Sequence, residues 1–278
     1  MNQEPYSLIQ CKKCSFVSVH PLPDDESLKL LYDSNYWEGQ QIEESPYMQL
    51  FFSFRVRSIL NKIKNHIPPK GSILDLGAGD GAWVRLLRRH GFDAWGIDPF
   101  SNPDKTDFLI QGTLNSAEFE DEHFDVVTCF HVLEHLEDPL NEVKEALRIL
   151  RPGGIMIIEV PNINSWGFSF FKMNWQPLHL PAHVNHFTPE TLDKVFQMAG
   201  NVNLLKLSHF SIKTSPASFV LSLLPGLTPH KVRRKFKGKY PFYFKVAYLI
   251  FQMATLPFVA LSVLARKGCI IRCYLQKQ

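Results

Sequence analysis

Residues 72–81 read SILDLGAGDG, an apolar run that ends in an acid and then turns through Gly77, Gly79 and Gly81. Nothing else in the chain constrains the fold as much. The glycines permit a tight turn and close backbone approach to a ligand, and AWVRLLRRHG behind them has helical spacing closed by Gly91. The segment therefore reads as strand, turn and helix, with a ligand placed at the helix N-terminus. Strand and helix signals alternate onward through DAWGID, DFLIQG, FDVVTCF, PLNEVKEALRIL, GGIMIIEV, ETLDKVFQMAG and VNLLKLSHF. That alternation predicts an α/β fold, a doubly wound parallel sheet with helices on both faces. Ahead of it, apolar residues from Leu50 to Ile67 recur at helical spacing until Pro68 and Pro69.

Composition narrows the class. A hydrophobic fraction of 45% and a charged fraction of 21% over 278 residues exclude long disorder and collagen-like architecture. Five scattered cysteines make no disulfide framework, and MNQEPYSLIQCKKC has no apolar run to serve as a signal peptide, so a reducing, cytoplasmic setting is expected. The net charge of +3 conceals an asymmetry: residues 201–278 hold 13 of the 30 Lys and Arg and no Asp or Glu. The tail is basic and also the most apolar part of the chain, which suits a lipid surface better than nucleic acid.

A second strand ends at Asp98, 17 residues after Gly81. A carboxylate there can accept hydrogen bonds from both hydroxyls of a ribose, so the ligand is nucleotide-like. The glycines follow GxGxG, which departs from the GxGxxG of nicotinamide-dependent oxidoreductases and prepares less for a pyrophosphate.

LDLGAGDG, GIDP, FDVVTCFHVLEHLEDP and LRPGGIMIIEVPN, in that order, resemble the successive motifs of class I S-adenosylmethionine-dependent methyltransferases, over about Gly71 to Phe210. HVNHFTPETL after the fifth strand is similar to the branch containing ubiquinone-pathway O-methyltransferases and bacterial glycan-cluster methyltransferases. The resemblance implies a Rossmann-like, seven-stranded, mostly parallel sheet whose last strand is antiparallel, with GCIIRCYLQKQ returning beside VNLLKLSHF. It implies S-adenosyl-L-methionine as cofactor, with Asp75, Gly77, Ala78 and Gly79 along its amino-acid part and Gly81 allowing close packing. By the same resemblance Asp98 holds the ribose, Ile97 and Pro99 flank the adenine, and His131 lies over the methionine portion. Thr113 and Leu114 stand where relatives often have Gly-Asp and an apolar residue, so the acid for the exocyclic amine is missing here. Tyr32, Tyr36 and Trp37 resemble an aromatic preface that covers the cofactor, and packing under the domain explains them equally well.

The sulfonium methyl is already electrophilic, so the protein supplies orientation and, for an oxygen nucleophile, a base, usually His. His131, His135, His179, His183 and His186 are the candidates, with His135, His183 and His186 the ones expected to be catalytic. HVLEHL puts His131 and His135 four apart, on one face of a short helix at the strand's C-terminal edge, where open α/β sheets bind ligands. His135 alternatively anchors that loop together with Glu134. His183 and His186 occupy a Pro-bounded loop ahead of a helix capped at Thr188. No metal site is expected, because no acid or Cys accompanies the His cluster at ligand spacing. Cys11 and Cys14 form a single CxxC that resembles the second half of a zinc ribbon without its first pair.

The organisation expected is a preface over 1–45, a methyltransferase core over 46–210, an apolar and basic helical insertion over 211–267, and a returning strand over 268–278. The insertion carries SFVLSLLPGL, the basic cluster KVRRKFKGK, and VAYLIFQMATLPFVALSVL, 19 residues without a charge. Three readings of that run stay open: a helix in the membrane interface, a soluble cap, or a span. The function expected is methyl transfer, to oxygen, on a small-molecule, glycan or lipid-linked acceptor, with an anionic membrane surface and no nucleic acid as partner. The competing readings are an NAD-dependent oxidoreductase and a catalytically idle cofactor-binding assembly partner at the membrane.

Overall fold

The structure is a computed structural model, and it describes residues 6–24, 56–101, 106–211, 214–224 and 242–278. In chain order its elements are β1 (Ser7–Gln10), β2 (Val17–His20), α1 (residues 56–63), β3 (Ser72–Leu76), α2 (Ala82–Arg89), β4 (Asp93–Asp98), β5 (Leu109–Gln111) and β6 (Phe124–Phe130). There follow α3 (Pro139–Ile149), β7 (Leu150–Pro161), α4 (Trp166–Phe171), β8 (Asn185–His186), α5 (Pro189–Ala199), β9 (Val202–Ser208), α6 (Thr214–Leu223), α7 (Phe242–Leu264) and β10 (Ile270–Lys277). These elements fall into two compact units, one within 32–159, 193–207 and 273–278, the other within 1–31, 160–192 and 208–272. The boundary at residue 160 cuts the segment expected as one core, and 160–192 joins the preface and the insertion.

The first unit is built on a sheet of seven strands ordered β5-β4-β3-β6-β7-β10-β9. Its central strands are apolar without alternation because helices cover both faces, and Ile73, Leu74, Val126, Val127, Ile155 and Ile157 are all buried. The pairs β3–β4, β4–β5, β3–β6 and β6–β7 are parallel. The last strand runs the other way. Lys277 Nζ donates to the Leu150 carbonyl at the start of β7, whereas the Asn162 N–H just past its end donates to Cys269. On the other side the Gln278 N–H donates to Asn201 ahead of β9, so β10 is wedged between two strands that it opposes.

Helices close on this sheet where the sequence periodicity puts them. Val56, Ile59 and Ile63 of α1 share a buried cluster with Ile73, Trp83 and Tyr274. Helix α2 ends in a Schellman turn, with Gly91 at φ 88°, its N–H donating to Arg88 and that of Phe92 to Leu87. Residues 50–55 of the helix expected before Pro68 lie outside the described residues, as do Tyr32, Tyr36, Trp37 and the cluster Arg233, Arg234, Lys235 and Lys237.

The second unit joins a three-stranded sheet, β1-β2-β8, to α4, α6 and α7. The β1–β2 hairpin is antiparallel, pairing Leu8 with Val19, and its turn carries Cys11 and Cys14. The helices meet through rings: Phe258 lies 5.6 Å from Trp166, 5.5 Å from Phe170 and 4.6 Å from Phe219.

Asp125 pins the bottom of the large sheet, accepting from the Ser72 N–H at 2.8 Å and from Arg151 at 2.9 Å. Asp125→Ala strands the Ser72 amide and removes the partner of Arg151, so urea unfolding is expected to show a loss of about 2–3 kcal/mol.

Candidate active site

The site grows out of the C-terminal ends of β3, β4 and β6. Parallel register sets Asp75 beside Gly96 on one neighbour and Thr128 on the other. Thr128 Oγ1 donates to Asp75 Oδ1 at 2.6 Å, which orients a buried carboxylate at the mouth of the sheet. Beyond Asp75 the chain turns through Gly77, Gly79 and Gly81 at φ 68°, 56° and 77°, left-handed conformations that disfavour side chains. At Gly77 there is also no room, since a Cβ would stand 2.3 Å from Val132 Cγ2.

The turn is stitched to the end of β4. The N–H groups of Gly77 and Ala78 donate to the Ile97 carbonyl at 2.9 and 3.1 Å. Asp98 then gathers two loops: Oδ2 accepts from the Gly79 N–H at 3.0 Å and Oδ1 from the Phe100 N–H at 2.7 Å. Burial pushes its pKa up, against the pull of the Phe100, Gly79 and Ser101 amides. Gly96, which the motif reading passed over, lets the turn come this close, for a Cβ there would meet that of Ala78 at 2.5 Å. A glycine inside a strand is the signal that marks such an approach.

The first turn of α2 is guarded by an acid. Asp80 Oδ1 accepts from the Ala82 N–H at 3.1 Å, and Arg85 pairs with its other oxygen at 3.4 Å. A pyrophosphate arriving there would meet a carboxylate already holding a helix N-terminal donor. Pro99 is exposed after β4. Thr113 caps a single 3-10 turn reciprocally with Ser116, and Leu114 within that turn is buried.

The expectation that His131 and His135 share one helical face is overturned. The helix shrinks to a 3-10 turn, Leu133–His135, and His131 precedes it at φ 58°. The reason is a buried ion network. His131 Nδ1 lies 3.2 Å from Glu134 Oε1 and Nε2 3.0 Å from Glu159 Oε1, and both glutamates are fully buried. Burial pulls the imidazole pKa down, but the two carboxylates outweigh it and hold it at about 9. His131 is thus cationic at neutral pH, each ring N–H donated to a glutamate. Glu159 was not legible as its partner, its only signal being an acid that closes the apolar run GGIMIIEV.

The remaining histidines divide between the units. His135, on the 3-10 turn, belongs to the sheet unit, whereas His183 and His186 belong to the other. Neither of the latter sits in an open loop: His186 lies in β8 opposite Val17, and both are buried. His183 Nδ1 is 2.8 Å from the Pro177 carbonyl, so that nitrogen carries a proton. Thr188 caps α5 as expected, accepting from the Thr191 N–H.

Comparison with known proteins fits this geometry. A family model for a methyltransferase domain matches residues 49–205. The ubiquinone biosynthesis O-methyltransferase of Yersinia pestis (strain Pestoides F) is 30% identical over 161 residues, 53% of this chain and 65% of that protein. The chain therefore spans less than two thirds of that relative's length. Among solved structures, the [4+2]-cyclase SpnF superposes with a TM-score of 0.56 at 15% identity, covering 92% of this chain and 97% of that one. The 1,6-didemethyltoxoflavin-N1-methyltransferase of Burkholderia thailandensis, with bound 1,6-didemethyltoxoflavin and S-adenosylhomocysteine, gives a TM-score of 0.50 at 12% identity over 97% of this chain and 98% of that one. At such identities these two likenesses speak for the fold alone.

The network around His131 makes stability depend on pH. Its folded pKa of about 9 lies above the usual 6.5, so its contribution is complete below about 6.5 and lost as pH rises through about 9. Replacing it in His131→Gln is expected to flatten the stability profile over that window. At the acidic end the cost is about 2 kcal/mol, less than for a fully buried pair because the ring is 35% exposed. Urea unfolding from pH 6 to 9 measures both.

Proposed function

Because the chain belongs to the methyltransferase domain family, whose model matches residues 49–205, we propose that it moves a methyl group from S-adenosylmethionine to an oxygen on a small, glycan or lipid-linked acceptor. The observation that carries the reading is the buried Asp98 carboxylate fastened to the glycine turn. Each of its oxygens accepts one amide, and a carboxylate offers about four lone-pair sites, so capacity remains for the two hydroxyls of a ribose. The bare backbone of the left-handed turn at Gly77, Gly79 and Gly81 suits the same ligand. S-adenosylmethionine, when bound, supplies an activated methyl on a sulfonium. The chain's own residues then have to hold it, orient the acceptor and take one proton.

Oxygen as the accepting atom draws support from the named activity of the Yersinia relative. For the proton, His135 is the candidate base carried by the same unit as the glycine turn and Asp98. His131 does not suit it, because both its nitrogens donate to glutamates at neutral pH. A nicotinamide dinucleotide is disfavoured by Asp80, which sets negative charge and a filled donor where a pyrophosphate would lie.

Titration calorimetry tests the cofactor. S-adenosylmethionine or its demethylated product is expected to bind, and Asp98→Ala to weaken binding by about 1–3 kcal/mol by stranding the hydroxyls it would accept from. Nicotinamide dinucleotide binding without sulfonium binding overturns the reading. For the base, His135→Gln is expected to lower kcat about 10²–10⁴-fold with cofactor affinity unchanged. Equal loss in His183→Gln and His186→Gln, or none in any of the three, removes His135 from the role.

A further inference from the structure

Helix α7 is inside out. Val246, Ile250, Met253, Pro257, Leu261 and Leu264 recur at helical spacing and are all exposed, Ile250 at 62% and Leu264 at 80%. Its buried side holds Thr255, Val259 and Ser262, so two of the three most enclosed positions are hydroxyls. Helix α6, against which α7 packs, buries Ser215, Ser218 and Ser222 beside Pro216, Val220 and Leu221, with Leu223 exposed. Both helices satisfy these hydroxyls internally, as in Ser218 to Ser215, Ser222 to Ser218 and Ser262 to Val259. A helix in water turns its apolar stripe inward. Small hydroxyl residues between helices with apolar surface outside is the arrangement found where lipid is the solvent.

From this we infer that the unit docks on an anionic membrane through the outer face of α7, which lies along the boundary between headgroups and acyl chains without crossing it. The neighbouring Phe170, whose ring meets Phe258, and Met173 extend the apolar surface at 67% and 59% exposure. Lys172 and Arg266 are exposed beside it. An anionic surface is the complementary partner, because residues 201–278 carry 13 Lys and Arg without one acid. A second copy of the chain would set the same positive charge against itself.

Helix α7 has the length and apolarity to cross a bilayer and is little buried, but its surroundings decide against a crossing. Its packing partner α6 has 10 residues, about 15 Å, half a hydrocarbon core. Past its end, Lys267 binds Asn164 and Cys269 accepts from Asn162, so the chain rejoins the folded unit at once. This deepens the proposed function by naming an acceptor with a lipid tail, while standing on independent observations.

The experiment is sedimentation of the full chain with phosphatidylcholine vesicles, with and without phosphatidylglycerol, across a salt series, beside calorimetry with S-adenosylmethionine on the same preparation. Pelleting with the anionic vesicles at low salt is expected, falling steeply as salt rises. Ile250→Glu with Leu261→Glu is expected to lower the partition coefficient at least about tenfold with the thermal melt unchanged, and Ile250→Ser serves where the acidic pair does not fold. Absence of pelleting at low salt overturns the inference, as does a dimer in sedimentation velocity that Ile250→Glu dissociates. Pelleting that resists salt and yields only to detergent replaces the interfacial helix by a span. Pelleting without S-adenosylmethionine binding counts against the proposed cofactor alone, and binding without pelleting against the membrane alone.

Discussion

A single buried carboxylate organises the mouth of the large sheet. Asp98 takes the Gly79 amide with one oxygen and the Phe100 amide with the other, so the turns leaving two adjacent strands share one anchor. Parallel pairing of β3 with β4 brings those strand ends level, and the absence of a side chain at Gly96 lets Ala78 close over them. Burying the acid disfavours its charged form, and the amides aimed at it offset that cost. The glycine conformations at 77, 79 and 81 then follow from having to fold the chain back over a fixed point.

A second charged group holds the next strand end. His131 adopts a left-handed backbone conformation, unusual for a side chain of its size, and keeps it because Glu134 and Glu159 clasp both ring nitrogens. The pair of buried acids would be untenable without the cation between them. This network sets the backbone of the following residue, and Val132 presses against Gly77 as a result. The same residues that exclude a side chain from the glycine turn are thus positioned by electrostatics one strand away.

The helical unit obeys a different rule. Its aromatic rings cluster around Phe258, while several enclosed positions on α6 and α7 are hydroxyls that bond to their own helices. Enclosing serines while exposing leucine and isoleucine stabilises a fold poorly in water. The arrangement makes sense where the outer face has a nonaqueous neighbour.

Read alone, the sequence determined the alternation of strands and helices, the glycine turn with its two acids, the capped helix at Thr188 and the return of the last strand, because each is a local pattern or a matched motif. It did not reveal that His131 leaves the helix to bridge two glutamates, since Glu159 is 28 residues away and only the parallel register of β6 with β7 makes them neighbours. Nor did it reveal which side of α7 faces out: nineteen uncharged residues look alike around the helix until α6 takes the hydroxyl side. Periodicity reports where apolar side chains recur along the chain. What covers them, and which charges meet, is decided by contacts between segments distant in sequence, and those exist only in the folded molecule.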